Sequence, residues 1–178
     1  SLHTDYQSII ANGTASELAT DSIDVVLNNI NLDYLLSYTE ASKAISIMGP
    51  VTGQAQVYSV FSAPMLEAQA QIRNGGLNGV YLGDVTAEAR LDRENKTILI
   101  EGEAIDSTGH RVAEVTGKVI PATKWWGLDI SCDSVDISFI DFWTKDIIAN
   151  PQGRGYGHVK VEGQEHKVWV TGRALAKE

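Results

Sequence analysis

Apolar and polar residues alternate strictly along most of this chain. In the run DVTAEARLD, Val85, Ala87 and Ala89 fall on one side, while Asp84 and Glu88 fall on the other. Because successive side chains of a β-strand point to opposite faces of the sheet, alternation over five or more residues predicts a half-buried strand. The same alternation recurs in MLEAQAQIR, HRVAEVTGKVI, GHVKVEG and KVWVTGRALA. The pattern therefore predicts a protein built mainly of β-strands.

Short turn signals separate the alternating runs. NGGLNG follows Arg73, RENK follows Asp92, STG follows Asp106 and EGQEH follows Val161. Connections this short suit hairpins, whereas parallel pairing would need crossovers of a dozen residues or more. The sequence therefore predicts an antiparallel meander in which each strand pairs with the next.

Two segments depart from the alternation. LDYLLSYTEASKAISIMG and ISFIDFWTKDIIANPQG carry apolar residues at roughly helical spacing, and the helical pattern stops at Gly49-Pro50 in the first and at Asn150-Pro151 in the second. A Gly or Asn followed by Pro is a natural stop for a helix. We therefore expect short amphipathic helices at about 32–48 and 137–149.

Each of these segments directly follows one of two similar stretches, IDVVLNNINLDY and LDISCDSVDISF. Ile23 then aligns with Leu128, and Ile30 aligns with Val135. Beyond the predicted helices, Gly53 aligns best with Gly155, and about four strands lie between the two copies. We interpret this similarity as an internal repeat, in which each unit consists of a strand, a helix, a glycine and a second strand. The alternative is chance similarity between two amphipathic stretches.

Charge and hydropathy exclude several classes of function. The formal net charge is −9, the isoelectric point is about 4.8, and Lys and Arg are scattered among acidic residues. A nucleic-acid binder needs a basic stripe to neutralise phosphates, so no nucleic-acid partner is expected. No run of eighteen apolar residues is present, so no transmembrane helix is expected in this segment.

Residues that could perform catalysis or hold a metal do not form a recognisable motif. The four histidines, which are His3, His110, His158 and His166, lack metal-ligand spacing, and Cys132 is the only cysteine. The glycine-rich GRGYG precedes a strand instead of linking a strand to a helix, as a phosphate loop must. We therefore predict no catalytic residue, no cofactor, no metal site and no enzymatic activity.

Trp125 and Trp126 form the most unusual dipeptide of the chain. On a strand their rings must point to opposite faces. Packing in the core is the favoured interpretation for at least one ring, with a binding role as the alternative.

With the repeat in view, the chain resembles the translocation and assembly module (TamB) family, which is related to AsmA-like proteins. The resemblance is carried by INLDYLL, by GPVTGQAQVYSVFSAPMLEAQAQIRNGGL and by YLGDVTAEARLDRENKTILIEGEAIDSTGHRVAEVTGKVI. Most of residues 23–178 take part. The positions that match the sequence pattern of the family are Gly49, Gly53, Val57, Pro64, Gly83, Leu91, Leu99, Gly102, Asp106, Gly109, Gly117 and Val119. The second copy of the repeat departs from this pattern, because it has no Pro at the position that corresponds to Pro64.

The resemblance implies a curved, taco-like open sheet whose concave face is apolar. It also implies a periplasmic protein whose parent is anchored in the inner membrane. Such proteins serve outer-membrane biogenesis, through assembly of outer-membrane proteins or movement of phospholipid between membranes, together with an outer-membrane assembly partner. Residues 1–178 would then be a single β-groove segment of a longer repetitive protein, with repeat phases starting near 23 and 128. No catalytic residue is implied.

A sheet one layer thick must cover a continuous apolar face with a second sheet, a helix, another chain or lipid. The two predicted helices are too short to cover some ten strands. Small side chains on that face would leave room for an acyl chain of a lipid. The residues predicted to line the groove are Leu66, Ala68, Ala70, Ile72, Val85, Ala87, Ala89, Leu91, Ile98, Ile100, Ala113, Val115 and Val119. The alternative is a closed β-sandwich or barrel that acts as a scaffold or adhesion module by protein–protein contact.

Overall fold

The computed structural model describes residues 6–16, 21–33, 46–59, 61, 64–140, 152–164 and 167–177. These residues form eleven strands in chain order. The strands are β1 Ser8–Gly13, β2 Ser22–Asn31, β3 Ile47–Met48, β4 Pro50–Tyr58, β5 Met65–Leu77, β6 Val80–Asp92, β7 Thr97–Ile105, β8 Arg111–Ile120, β9 Trp125–Asp136, β10 Arg154–Gln164 and β11 Lys167–Lys177. Two short 3₁₀ turns, Pro121–Thr123 and Ile137–Ile140, interrupt them.

All eleven strands belong to one sheet, and every pairing in it is antiparallel. The order is β1-β2-β4-β5-β6-β7-β8-β9-β10-β11, so each strand pairs with its neighbours along the chain. The two-residue β3 lies off this path and pairs with the end of β5. The predicted fold class is confirmed, because the described chain is a single open, curved antiparallel sheet with almost no helix.

Most of both predicted helices lies outside the described residues, at 34–45 and 141–151. At the described ends the expectation is partly wrong. Ile47 and Met48 form β3, because the Ile47 amide donates to Asp33 Oδ1 at 2.6 Å and the strand pairs with Leu77. Ile137–Ile140 form a 3₁₀ turn.

The turn between β5 and β6 is shorter than the sequence suggests. Only Asn78 and Gly79 form it, with φ of 49° and 85°, as a two-residue turn with both central residues left-handed requires. The preceding residues 74–77, expected in the turn, remain in β5 past a bulge that follows Ile72. Pairing with β3 keeps this part of β5 extended, because Met48 lies opposite Gly76.

Matching bulges mark the two similar stretches of the sequence. In β2 the register shifts after Leu27, and Asn29 has a φ of 54°. In β9 the register shifts at the equivalent place, and Ser134 has a φ of 66°. Ser134 lies 105 positions after Asn29 (134 − 29). Each bulge residue precedes an aliphatic side chain that is at least nine-tenths buried, Ile30 in β2 and Val135 in β9.

The turns that follow the bulges are also alike. The Asp33 amide donates to Asn31 Oδ1 at 3.0 Å, and the Ser138 amide donates to Asp136 Oδ1 at 2.9 Å. The hydrogen bonds from Ser138 lower the pKa of the Asp136 carboxyl.

The return strands fix the alignment of the two copies. A left-handed glycine precedes each of them, Gly49 before β4 and Gly153 before β10. Leu27 pairs with Gly53, and its counterpart Cys132 pairs with Gly157. The alignment of Gly53 with Gly155 is therefore wrong by two residues, because the left-handed glycines that precede the return strands lie 104 positions apart (153 − 49), as do Gly53 and Gly157.

A small aliphatic cluster lies at the bulged rim of the sheet. Its buried members are Ala104, Val112 and Val135, against which half-buried neighbours from β6, β8 and β9 pack. Val112 is the extra residue of a bulge in β8, where Ala104 pairs with Ala113 and Ile105 pairs with Arg111. The bulges therefore place additional side chains over this rim.

Replacing Gly83 by Ala should destabilise the fold far more than the same change at Gly109. Both glycines are left-handed, with φ of 106° and 85°. A Cβ at Gly109 meets nothing within 4 Å, whereas one at Gly83 would collide with the carbonyl oxygen of Ile105. We expect Gly109→Ala to cost about 1 kcal/mol from backbone strain. Gly83→Ala should cost about 1–3 kcal/mol more through overpacking, as measured by urea unfolding. Equal costs would contradict the close approach of β6 and β7 at this point.

The turn after β7 should make stability depend on acidic pH. Asp106 Oδ1 accepts hydrogen bonds from the Thr108 amide, the Thr108 hydroxyl and the His110 amide, at 2.8, 2.6 and 3.0 Å. These bonds, the Thr108 side chain first, lower the pKa of Asp106 from its ordinary value of 3.8. The stabilisation is therefore fully present above that value and is lost as pH falls through the lowered pKa.

Asp106→Asn should accordingly melt below the wild type at pH 7, and the two melting curves should converge as pH falls below the ordinary aspartate pKa. Thermal melts between pH 7 and about pH 2.5 measure this. Glu94→Gln, which removes one charge from the neighbouring turn, controls for net charge. A gap between Asp106→Asn and wild type that stays constant with pH would contradict the prediction.

Candidate binding face

The residues predicted to line a groove all lie on one face of the sheet. Pairing aligns them in ladders, which are rows of register partners running across the strands. Ala70, Ala87 and Val115 belong to one ladder, in which Ala70 pairs with Ala87, and Gly102 joins Ala87 to Val115. The other ten predicted residues fall in three parallel ladders on this apolar face. These are Ala68, Ala89 and Ile100; Ile72, Val85 and Ala113; and Leu91, Ile98 and Val119, with Leu66 on the same face of β5 two residues before Ala68.

Small residues occupy the middle of this face. Across β4 to β7 the two central ladders hold seven small residues and, at the β7 end, the larger Ile100. The seven small residues form the floor, which consists of Gly53, Ala55, Ala68, Ala70, Ala87, Ala89 and Gly102. Larger aliphatic side chains stand on either side of the floor. One wall is Val57, Leu66, Leu91 and Ile98, and the other is Val51, Ile72 and Val85.

The backbone spacing sets the size of this arrangement. Six residues of strand separate the two walls, which corresponds to roughly 20 Å, and the four strands of the floor span roughly 14 Å. Ala87 is exposed, and the other alanines of the floor are half-buried. The floor is therefore accessible, while the wall residues Val51 and Ile98 are buried.

Sequence reasoning missed several members of this face. Val25 and Leu27 of β2 and Ala104 of β7 extend its ladders, as do Leu128 and Ile130 of β9. The same alternation that revealed the thirteen residues runs through these strands. The signal was present, but only pairing shows that separate runs share one face.

The two tryptophans point to opposite faces, as predicted. The Trp126 ring lies over Gly163, its register partner on the apolar face, and it continues the ladder that contains Val119. The Trp125 ring lies over Gly127 on the other face. Both rings thus cover glycine positions of the sheet.

The opposite face carries polar ladders and a trough of about 1070 Å³. Two ladders border the trough. One is Val26, Gln54, Gln69, Glu88, Glu101 and Thr116, and the other is Asn28, Thr52, Gln71, Thr86, Glu103 and Glu114. The ladder between them, which contains Ala70 and Ala87, lies under the trough, and no wall residue borders it. A second trough of about 590 Å³ shares the ladder of Val26 and Glu88 with the first, is bordered on its other side by Asp24, Gln56, Glu67 and Arg90, and also touches the wall residue Leu91. The troughs therefore lie on the face opposite the predicted groove.

Two arginines form ion pairs with the carboxylates of the larger trough. Arg90 contacts Glu88 at 3.7 Å and forms a close ion pair with Glu101. Arg111 lies 3.8 Å from Glu103 and 3.3 Å from Glu114. Since these side chains are roughly half exposed, each pair contributes at most about 1 kcal/mol. The trough is therefore polar, and its four carboxylates outnumber the two guanidinium groups that pair with them.

The described residues contain no group of three or more potential metal-ligating side chains. On the polar face His158 Nε2 lies 2.6 Å from Asp129, and His110 Nε2 lies 3.2 Å from Asp133. All four side chains of these two pairs are about half exposed, so the pairs remain in contact with water.

Comparison of the chain with protein-family models, with curated proteins and with solved structures finds no match. The likeness to the TamB family therefore rests on the sequence pattern. In the described part of the chain, no helix has the length and apolar character needed to cross a membrane.

Cys132 offers a chemical test of the two faces. It lies half-buried on the apolar face, and burial raises the pKa of its thiol. Only the thiolate is nucleophilic, so alkylation by iodoacetamide should be slow at pH 7.5. Ser131 is exposed on the polar face, and Ser131→Cys in a Cys132→Ser background should react several-fold faster. Equal rates for the two thiols would show that they do not differ in environment.

Proposed function

We propose that this chain binds the acyl chains of lipids along its apolar face and catalyses no reaction. The observation that carries the proposal is the accessible floor of small residues between two aliphatic walls. The face continues across the strands from β2 to β11, with Val159 and Val161 in β10 and Val170 in β11.

Physical chemistry favours an apolar occupant for this face. An acyl chain that lies on the floor withdraws methylene groups from water, at about 0.8 kcal/mol for each one buried. Side chains as short as Ala and Gly leave that volume free, whereas Leu or Phe would fill it. No second sheet covers the face among the residues that the structure describes.

The polar trough is a poorer place for a lipid chain. Its amides, hydroxyls and carboxylates would lose their hydration without gaining a hydrogen-bond partner. One side of the sheet thus suits water and the other suits hydrocarbon, as a conduit between aqueous surroundings and lipid requires.

The proposal extends to cellular context through the resemblance to the TamB family. The chain would work in the periplasm, as a segment of a protein anchored in the inner membrane. There it would support outer-membrane biogenesis, by moving phospholipid or by assisting an outer-membrane assembly partner.

Protein–protein contact is the second candidate function. The described sheet is open instead of closed into a sandwich or barrel, so such contact would use its edges. The observation that favours it is the exposed strand β11, where Val168, Val170 and Leu175 are each at least 60% exposed.

Two neighbouring substitutions test the lipid proposal. Ala87 and Thr86 are both exposed, but Ala87 lies on the apolar face and Thr86 on the polar face. Ala87→Glu places a charge on the floor and should weaken binding of a fluorescent fatty acid at least about tenfold, because a carboxylate cannot be desolvated against an acyl chain. Thr86→Glu should leave binding within about twofold, since it changes the charge equally but on the other face.

Mass spectrometry of lipid extracted from the purified protein provides an independent measurement. We expect phospholipid with the wild type and with Thr86→Glu, and little with Ala87→Glu. Bound lipid should also slow the alkylation of Cys132, which lies on the same face. Equal loss of binding in both Glu variants, or no binding by the wild type, would reject the proposal.

A further inference from the structure

The larger trough of the polar face lies in the interior of the sheet. It has a volume of about 1070 Å³ and is lined by β2 and by β4 to β8. Each of these strands is paired on both edges, so the trough does not depend on the outer strands β1 and β11. Six neighbouring strands span roughly 24 Å, and pockets for small molecules measure about 300–1,000 Å³. The trough is therefore large enough for an extended ligand of several linked units.

Neutral hydrogen-bonding side chains stand without partners in this trough. Gln54, Gln69, Gln71 and Thr86 are exposed along it, and none of their side chains hydrogen-bonds to another residue that the structure describes. Gln54 is the register partner of Gln69, and Gln71 is the register partner of Thr86. We call these four residues the amide cluster. Each of its glutamines offers two N–H donors and an acceptor oxygen to water or to a ligand.

The next glutamine of β4 shows that this lack of partners is local. Gln56 Nε2 donates to Ser22 Oγ at 3.1 Å, and Gln56 Oε1 accepts a hydrogen bond from the Tyr58 hydroxyl. The same hydroxyl lies 3.4 Å from Glu67 Oε2, and Glu67 forms an ion pair with Arg93 at 3.5 Å. Polar groups beside the amide cluster thus satisfy one another, whereas those of the cluster do not.

The charged groups of the larger trough also have partners. Arg90 and Arg111 each contact two of its four carboxylates. Because both guanidinium groups are held in this way and carboxylates are in excess, the trough repels anionic ligands such as phosphates. The groups that still lack a partner are the neutral ones, which favours a neutral ligand over a cation.

A flat strip of backbone separates the two polar ladders of the trough. Its residues Gly53, Ala70, Ala87 and Gly102 belong to the apolar-face ladder, so they present main chain to the trough. Two residues of strand separate the polar ladders, which corresponds to roughly 7 Å. The exposed aliphatic side chain of Val26 stands at the β2 end of the trough. A ring can lie on this strip with hydrogen-bonding side chains on both sides.

A neutral oligosaccharide matches these features. Its hydroxyl groups both donate and accept, so they can pair with amide N–H and C=O groups and with the exposed oxygens of the carboxylates. The C–H surfaces of its rings can lie against the backbone strip and Val26. It carries no charge for the carboxylates to repel, and it offers hydrogen bonds in exchange for the hydration that the trough loses.

We propose that the larger trough binds a neutral oligosaccharide through the amide cluster. Hydrogen bonds from Gln54, Gln69 and Gln71 hold sugar hydroxyls, and the linked rings run across the strands toward β8. The proposal does not rest on lipid binding, because the trough lies on the face opposite the apolar floor.

Three linear hexasaccharides, namely cellohexaose, maltohexaose and chitohexaose, are the probes. Each is titrated into the isotope-labelled chain of residues 1–178, and the side-chain amide signals of the glutamines are followed by NMR. We expect at least one sugar to give saturable shifts at Gln54, Gln69 and Gln71. The signal of Gln164, which is exposed at the end of β10 outside the trough, should not move.

Substitutions test which residues hold the sugar. Gln69→Ala combined with Gln71→Ala should weaken binding at least about fivefold, because two neutral hydrogen bonds are lost. Gln164→Ala removes an equally exposed amide elsewhere and should leave the affinity within about twofold. If the double variant fails to fold, as judged by circular dichroism, the positions of the shifts in the wild-type spectrum decide the same question.

The charge of the probe provides a further test. The acidic hexamer of galacturonate should not bind, since the carboxylates of the trough repel it. Spermidine, a linear cation, should bind more weakly than the best neutral sugar.

Four outcomes would overturn the proposal. The first is no saturable shift with any of the three neutral sugars up to their solubility limits, and the second is shifts of equal size at Gln164. The third is binding of the galacturonate hexamer as tight as that of the neutral sugars. The fourth is tighter binding of spermidine that moves the same glutamine signals, because the trough would then be a site for cations.

Discussion

Hydrogen bonding between consecutive strands is the constraint on which this structure depends. Each long strand pairs with the next along the chain, from β1 to β11, and no second sheet lies behind them among the described residues. Stability therefore comes from backbone ladders and from side-chain contacts across neighbouring strands, with only a small aliphatic cluster at one rim. In a single-layer sheet of this kind, both faces lie outside any common core.

One face of the sheet is mainly polar and the other is mainly apolar, so the two faces suit different binding partners. The polar face holds amides, hydroxyls and carboxylates, and Arg90 and Arg111 bridge the carboxylates in pairs. The apolar face holds a floor of Ala and Gly between aliphatic walls. Water can hydrogen-bond to the side chains of the polar face. The apolar face is stabilised only when an apolar group covers it and removes it from water.

Bulges and left-handed residues lie at one rim of the sheet, and they recur at equivalent positions in the two copies of the repeat. Asn29 and Ser134 interrupt β2 and β9 at equivalent positions, and Gly49 and Gly153 begin the strands that return. The equivalence extends to side-chain hydrogen bonds in the turns that follow. The same local geometry in both copies indicates that the repeated stretch is a structural unit.

The sequence by itself determined the strands, their antiparallel order and the face on which each apolar residue lies, because period-two alternation and short turns are local properties. It also placed Leu66, Ala87 and the other residues predicted to line a groove on one face of the sheet. It misjudged residues 74–77 and Ile47–Met48, where pairing of β3 with β5 overrides the local glycine and helix signals. Only the tertiary structure decided how the ladders join, that Gly53 corresponds to Gly157, and that the troughs lie over the polar ladders. These features depend on register between strands, which hydrogen bonding and bulges set across the sheet and which no single stretch of sequence contains.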